Sequence, residues 1–179
     1  MFAWFVNIGR SKCWNLLKSP FQNLHPRYDL GIQRVLLRNS HNKFQNMSQR
    51  NDNCVFCRIS DGREKSEILY KDDEYVVFPD IKPATKHHYL VITREHIPNA
   101  KVLSSEHKHI VEKLVEIANQ VLTEKDADLT DVRYGFHWPP FNSIQHLHLH
   151  AISPASNMGL ISRLIFRQDS WWFVSHFIW

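Results

Sequence analysis

His146-Leu147-His148-Leu149-His150, followed by Ala151-Ile152, alternates three imidazoles with two leucines. On a strand, whose side chains alternate between faces, this spacing points all three imidazoles to one side and both leucines to the other. A lone histidine is ordinarily a hydrogen-bonded structural residue, but three in strict alternation with apolar partners behind them are harder to account for in that way. Two chemistries fit the row. His-x-His on a strand is a metal-ligand spacing, since imidazoles on one face can converge on Zn²⁺. Alternatively the row holds and attacks a phosphate, with the middle imidazole as nucleophile and its neighbours donating hydrogen bonds to oxygens on which charge builds. Ser143, in a loop shortly before His146, favours the phosphate, because a hydroxyl can donate to a phosphoryl oxygen or leaving group whereas a metal site has little use for it. Cys54 and Cys57 have metal or redox spacing, and Cys13 has no partner.

The surrounding chain reads as an α+β domain that positions this row. Cys54–Ile59 is a short apolar stretch closed by the Asp61-Gly62 turn. Ile68–Tyr70 and Tyr75–Phe78 read as an antiparallel hairpin around an acidic turn. Pro79 and Pro83 bracket Asp80, Ile81 and Lys82 and hold Asp80 in a loop. His88–Ile92 is a β-prone run expected at the centre of the sheet. Ser104 or Ser105 can cap an amphipathic helix of about five turns, whose apolar residues Ile110, Val111, Leu114, Val115, Ile117, Ala118, Val121 and Leu122 recur at helical spacing. Val132–Trp138 resumes as strand before Pro139-Pro140, and Phe141-Asn142-Ser143 feeds the histidine strand. The expected architecture is an antiparallel sheet of about five strands with one long helix and one short helix near Cys57.

Composition bounds the function. A hydrophobic share of 43% with 12% aromatics is globular. The net charge of +4 is unevenly placed: residues 1–50 carry eight lysines and arginines against Asp29 alone, so the remainder is slightly acidic. We expect three parts: a basic extension over residues 1–50 without stable order, a domain over 51–157, and a segment over 158–179 that packs on the domain or across a dimer. The extension also fits a mitochondrial transit peptide, and its dispersed charges make a nucleic-acid arm the weaker reading. Three cysteines cannot build a paired disulfide framework, which favours a reducing compartment. No apolar run approaches the length of a membrane span, so no membrane role is expected.

His146 to Ile152 also matches the histidine triad signature and resembles the histidine triad superfamily, on its Hint branch. Cys54-Val-Phe-Cys-Arg-Ile resembles the family's opening, Phe78-Pro-Asp-Ile-Lys-Pro-Ala-Thr its ribose loop, and His88-Tyr-Leu-Val-Ile-Thr-Arg-Glu-His-Ile its central strand. Gly135–Ser143 and Leu160–Arg167 are most similar to the third Hint subgroup. The resemblance spans about residues 53 to 155. It implies His148 as nucleophile on an α-phosphate, forming a nucleotidyl-histidine intermediate that water hydrolyses, with His146 and His150 flanking it and Ser143 on the phosphate. It implies Asp80 on the ribose hydroxyls, Ile81 near the base and His88 as a fourth site histidine. The implied substrates are purine nucleoside phosphoramidates such as adenosine 5′-phosphoramidate, giving AMP and an amine, and lysyl-adenylates, giving AMP and lysine. Related nucleotidyl transferases carry glutamine at the third triad position, so His150 implies hydrolysis. A non-catalytic nucleotide-binding scaffold and a deadenylase acting on nucleic-acid ends are the rival readings. No cofactor is implied for the chemistry, but some members hold structural Zn²⁺ on residues matching Cys54, Cys57, His96 and His146. The resemblance further implies a homodimer, and a location in cytoplasm and nucleus. Departures are Pro139-Pro140 where many members have a Gly-rich loop, and the aromatic terminus Trp171–Trp179.

Overall fold

The computed structural model describes residues 51–175. The basic extension over residues 1–50, its transit-peptide and nucleic-acid readings, Cys13 and residues 176–179 lie outside the described residues. Helix α1 (Val55–Ser60) is followed by β1 (Tyr70–Lys71), β2 (Tyr75–Pro79), β3 (His87–Thr93), helix α2 (Lys108–Glu124), β4 (Arg133–His137), β5 (His148–Ser153), helix α3 (Leu160–Ile165) and β6 (Phe173–Val174). The strands make one sheet in the order β1-β2-β3-β5-β4-β6, antiparallel at every pairing. The expected count of about five strands becomes six, because the terminal aromatic block adds β6 beside β4. No helix among the described residues is long and apolar enough to cross a membrane.

Local chemistry explains the element ends. The acidic turn between β1 and β2 closes because Asp72 Oδ1 accepts from the backbone N–H groups of Glu74 (2.8 Å) and Tyr75 (2.6 Å). A 3₁₀ turn over Ser105–His107 leads into α2, with Ser104 and His107 forming a reciprocal cap. At its other end Lys125 N–H closes on Val121 and Leu122 carbonyls, and Asp126 takes the left-handed conformation at φ 54°.

The two faces of the sheet divide the work. Leu147, Leu149 and Ala151 join Val77, Tyr89 and Val91 under the apolar stripe of α2, in the main core. Seven apolar side chains of that helix are buried, a gross contribution of order 10 kcal/mol or more. On the opposite face Val76, Phe78, Leu90 and Ile92 pack with Cys54, Phe56, Cys57 and Ile59 of the α1 region. The register sets Ile92 opposite His148, Leu90 opposite His150 and His88 opposite Ile152. Paired residues share a face, so His148, His150 and His88 stand together on the α1 side.

Candidate active site

The histidine strand is divided where β5 begins. His148 and His150 lie within it, their ring centroids 5.0 Å apart. Leu147 N–H turns aside to the carbonyl of Ile97 (2.6 Å), so His146 precedes the regular pairing. Its Nε2–H donates to the Thr93 carbonyl (2.8 Å) and its Nδ1 faces the sulfurs of Cys54 and Cys57, each at 3.5 Å. With both ring nitrogens so occupied and the ring fully buried, His146 does not line the cleft and has no donor for a phosphate. The expected row of three imidazoles on one edge therefore becomes two, joined by histidines from other strands.

A chain of hydrogen bonds fixes the tautomers. His148 Nδ1–H donates to the His146 carbonyl (2.6 Å), which leaves the lone pair on Nε2. The Ala84 N–H donates to His88 Nδ1 (3.0 Å), so the His88 proton sits on Nε2 and is directed to His150 Nδ1 (2.9 Å). His150 must then carry its own proton on Nε2, which is buried and has no hydrogen-bond partner among the described residues. An unpartnered buried donor beside a lone-pair nitrogen is the arrangement that an incoming anion satisfies. Burial lowers the pKa of His148, with the His146 carbonyl opposing. Burial likewise pushes His88 down to about 3 and His150 well below its ordinary value. The cluster is neutral near pH 7, as an attacking imidazole must be.

His148 and His150 border a cleft of about 580 Å³, which also receives Asp80, Ile81 and Ser143. Asp80 Oδ1 accepts from Lys82 N–H (2.8 Å), while Oδ2 lies 3.5 Å from His88 Nε2 and 3.8 Å from His150 Nδ1. Burial raises its carboxyl above the usual range, opposed by the Lys82 amide and nearby histidines. Ile81 is 94% exposed at the cleft edge, a place where an apolar side chain gains by contact with a flat ring. The sequence-named residues His148, His150, His88, Asp80, Ile81 and Ser143 thus gather at one site, and His146 stands behind it.

Four residues of this site escaped the sequence reading. Phe56 of α1 packs edge-on against His148 (5.3 Å) and His146 (5.9 Å). His137 on β4 packs against His150 (5.0 Å), and its Nδ1 is another buried atom without a partner. Phe166 touches His88, His137 and His150 at 5.1–5.3 Å, and Phe173 lies 5.0 Å from His137. Gly135 makes this cover possible, since a Cβ there would fall 2.4 Å from the Phe173 ring. The alternation Gly135-x-His137 was the available signal, informative only once β4 is known to pair with β5.

Behind the site, Cys54, Cys57, His96 and His146 bring four ligand atoms within 4.8 Å of one another. Cys57 Sγ is 3.3 Å from His96 Nδ1, close to the roughly 3.5 Å that tetrahedral Zn–S and Zn–N bonds require. The His146 bond to Thr93 presents Nδ1 as the free ligand nitrogen. Burial raises the Cys57 thiol to about 11, so Cys57 is not a reactive thiolate without a metal to draw off the proton. The three histidines of the signature do not themselves form a ligand set, which removes the reading of a metal held by the whole row.

Residues 53–165 match the family model described as scavenger mRNA decapping enzyme C-terminal binding. The adenosine 5′-monophosphoramidase HINT3 of Xenopus tropicalis is 44% identical over 124 residues, which cover 68% of this chain and 81% of the relative. The protein of the same name from Mus musculus is 48% identical over 126 residues, covering 69% and 76%. Among solved structures, a HIT family hydrolase from Clostridium thermocellum superposes with a TM-score of 0.54 at 30% identity, covering 57% of this chain and 91% of its own. A histidine triad protein from Clostridium difficile gives the same TM-score at 27% identity, over 57% and 91%. With a lone-pair imidazole and its buried donor set side by side in this sheet, the chain belongs to the histidine triad superfamily.

Proposed function

We propose that this chain is a nucleoside phosphoramidase that hydrolyses the P–N bond of adenosine 5′-phosphoramidate and related amidates to AMP and an amine. The supporting observation is the pairing of a neutral His148 Nε2 lone pair with an unpartnered His150 Nε2–H at the end of a nucleotide-sized cleft. In the first step Nε2 of His148 bonds to phosphorus, the P–N bond breaks with its electron pair on nitrogen, and the amine departs after taking a proton from solvent, matched by the proton released to solvent in the second step. In the second, water adds to phosphorus, the P–Nε2 bond breaks and a proton is released, regenerating the imidazole. His150 donates to a phosphoryl oxygen through both steps, Ser143 to the same group, Asp80 accepts from the ribose hydroxyls, and Ile81 covers the base. A tautomer set so fully for attack is unneeded in a passive scaffold.

The test is to mix the protein with adenosine 5′-phosphoramidate, quench within the first turnovers and examine peptides by mass spectrometry. We expect AMP in solution and an AMP adduct on the His148 peptide. Intact amidate after hours of incubation would refute the proposal.

We also propose that Cys54, Cys57, His96 and His146 hold a structural Zn²⁺. The ion would supply a rigid crosslink, tying α1, and with it Phe56, to the entrance of β5. Purified protein should contain about one Zn²⁺ per chain, Cys57→Ser should lose it, and chelation should lower Tm by several degrees. Metal far below stoichiometry in zinc-supplied cultures would remove this reading. Assembly as a homodimer rests on the family resemblance, and sedimentation equilibrium at micromolar concentration should return twice the chain mass; the mass of one chain would exclude it.

A further inference from the structure

A second cavity, of about 410 Å³, opens on the other side of the histidine cluster and is lined by His137, Phe141, Leu164, Ile165 and Trp172. Its walls are well fixed. Trp172 Nε1–H donates to the carbonyls of Leu164 and Ile165 (both 3.1 Å), fastening the indole to the end of α3. Phe141 packs edge-on against Trp171 at 4.7 Å. Leu164 is 64% exposed and Phe141 44%, so apolar surface is held open to solvent beside the half-buried imidazole of His137. None of the five lining residues is charged.

Sheet order relates this cavity to the cleft. The nucleotide-sized cleft lies over β2 and β3, through Phe78, Asp80 and Leu90. The reacting pair His148 and His150 stands on β5, and His137 stands on β4 beyond it. A phosphorus centre held over β5 with its ribose ester toward β3 has its other substituents directed away from the nucleoside, toward β4. That is where the second cavity lies, with His137 as its wall on the histidine side at 5.0 Å from the His150 ring.

We propose that this cavity is the leaving-group subsite and that it selects amidates of apolar or aromatic amines over those bearing a second, cationic amine. The inference rests on the phosphoramidase reading and adds the class of amine. An alkyl or aryl group entering the cavity covers the exposed faces of Phe141, Leu164 and Trp172. An ammonium carried to the same place loses water and meets no carboxylate among the described lining residues.

The experiment compares kcat/KM for two adenosine 5′-phosphoramidates, one of hexylamine and one of 1,5-diaminopentane, which differ by a methyl against an ammonium end. The wild-type protein should prefer the hexyl amidate by roughly tenfold or more. Leu164→Asp, which brings a carboxylate to the cavity, should erase or invert that ratio, and Phe141→Ala should reduce it. Equal kcat/KM for the two amidates, or a ratio unmoved by both substitutions, would overturn the inference and leave the phosphoramidase reading standing. A wild-type protein inert toward both would overturn that reading, and this inference with it.

Discussion

His148→Ala is expected to lower the release of AMP from adenosine 5′-phosphoramidate by at least about 10³-fold while nucleotide binding survives. The size of the effect follows from the loss of the bond-forming atom. Without Nε2 the remaining groups can still bind and polarise the phosphate, but direct attack by water must replace a two-step covalent route. The substitution should spare the scaffold. His148 donates one hydrogen bond, to the His146 carbonyl, and packs against Phe56, so the variant should fold with a modest loss of stability. The measurement is single-turnover AMP release by chromatography, with AMP affinity followed by titration calorimetry. Wild-type-like turnover in the variant would remove His148 as the nucleophile, and loss of AMP binding with folding intact would move its role from attack to recognition.

The second large effect is on stability against acid. His88, His148 and His150 are buried together, and burial lowers all three pKa values in the folded state, that of His88 to about 3. An unfolded chain titrates its histidines near 6.5. Below that pH the unfolded state binds protons that the folded state refuses, so stability rises with pH. It is complete above about 6.5 and is lost progressively as the pH falls, each histidine contributing up to about 1.4 kcal/mol per pH unit. Denaturant unfolding at pH 7.5 and pH 5 should therefore differ by several kcal/mol. His88→Asn should flatten the dependence by about one histidine's share. Equal stability at the two pH values would mean that the cluster takes up protons within the fold.

The parts of this molecule legible from sequence are those set by short-range periodicity. The alternation at His148 and His150 and the helical stripe of Lys108–Glu124 each follow from a repeat of two or of 3.6 residues. The prolines on either side of Asp80 place it in a loop, and its part in the site comes from the family resemblance. What was hidden depends on contacts across the chain. His146 shares the alternation of its neighbours, yet its imidazole is claimed by Thr93 and by two cysteines about ninety residues earlier. His137 looks like one more residue of an ordinary strand until β4 is laid against β5. The terminal aromatics are expected to pack on the domain or across a dimer, but nothing nearby in sequence announces that Phe173 fits over Gly135. Local pattern identified the reacting groups, while their neighbours came from tertiary packing.

The position of β5 between β3 and β4 has a kinetic consequence. Its six residues are all buried, and it is hydrogen-bonded on both flanks, whereas the two-residue strands β1 and β6 form the margins. Margins fray without disturbing the middle, so amide hydrogens of Leu149 to Ile152 should exchange with solvent only through openings that approach global unfolding. The imidazoles proposed to react are thus expected on the last part of the sheet to open. Motion that admits substrate and releases product is therefore expected at the borders of the cleft rather than in β5.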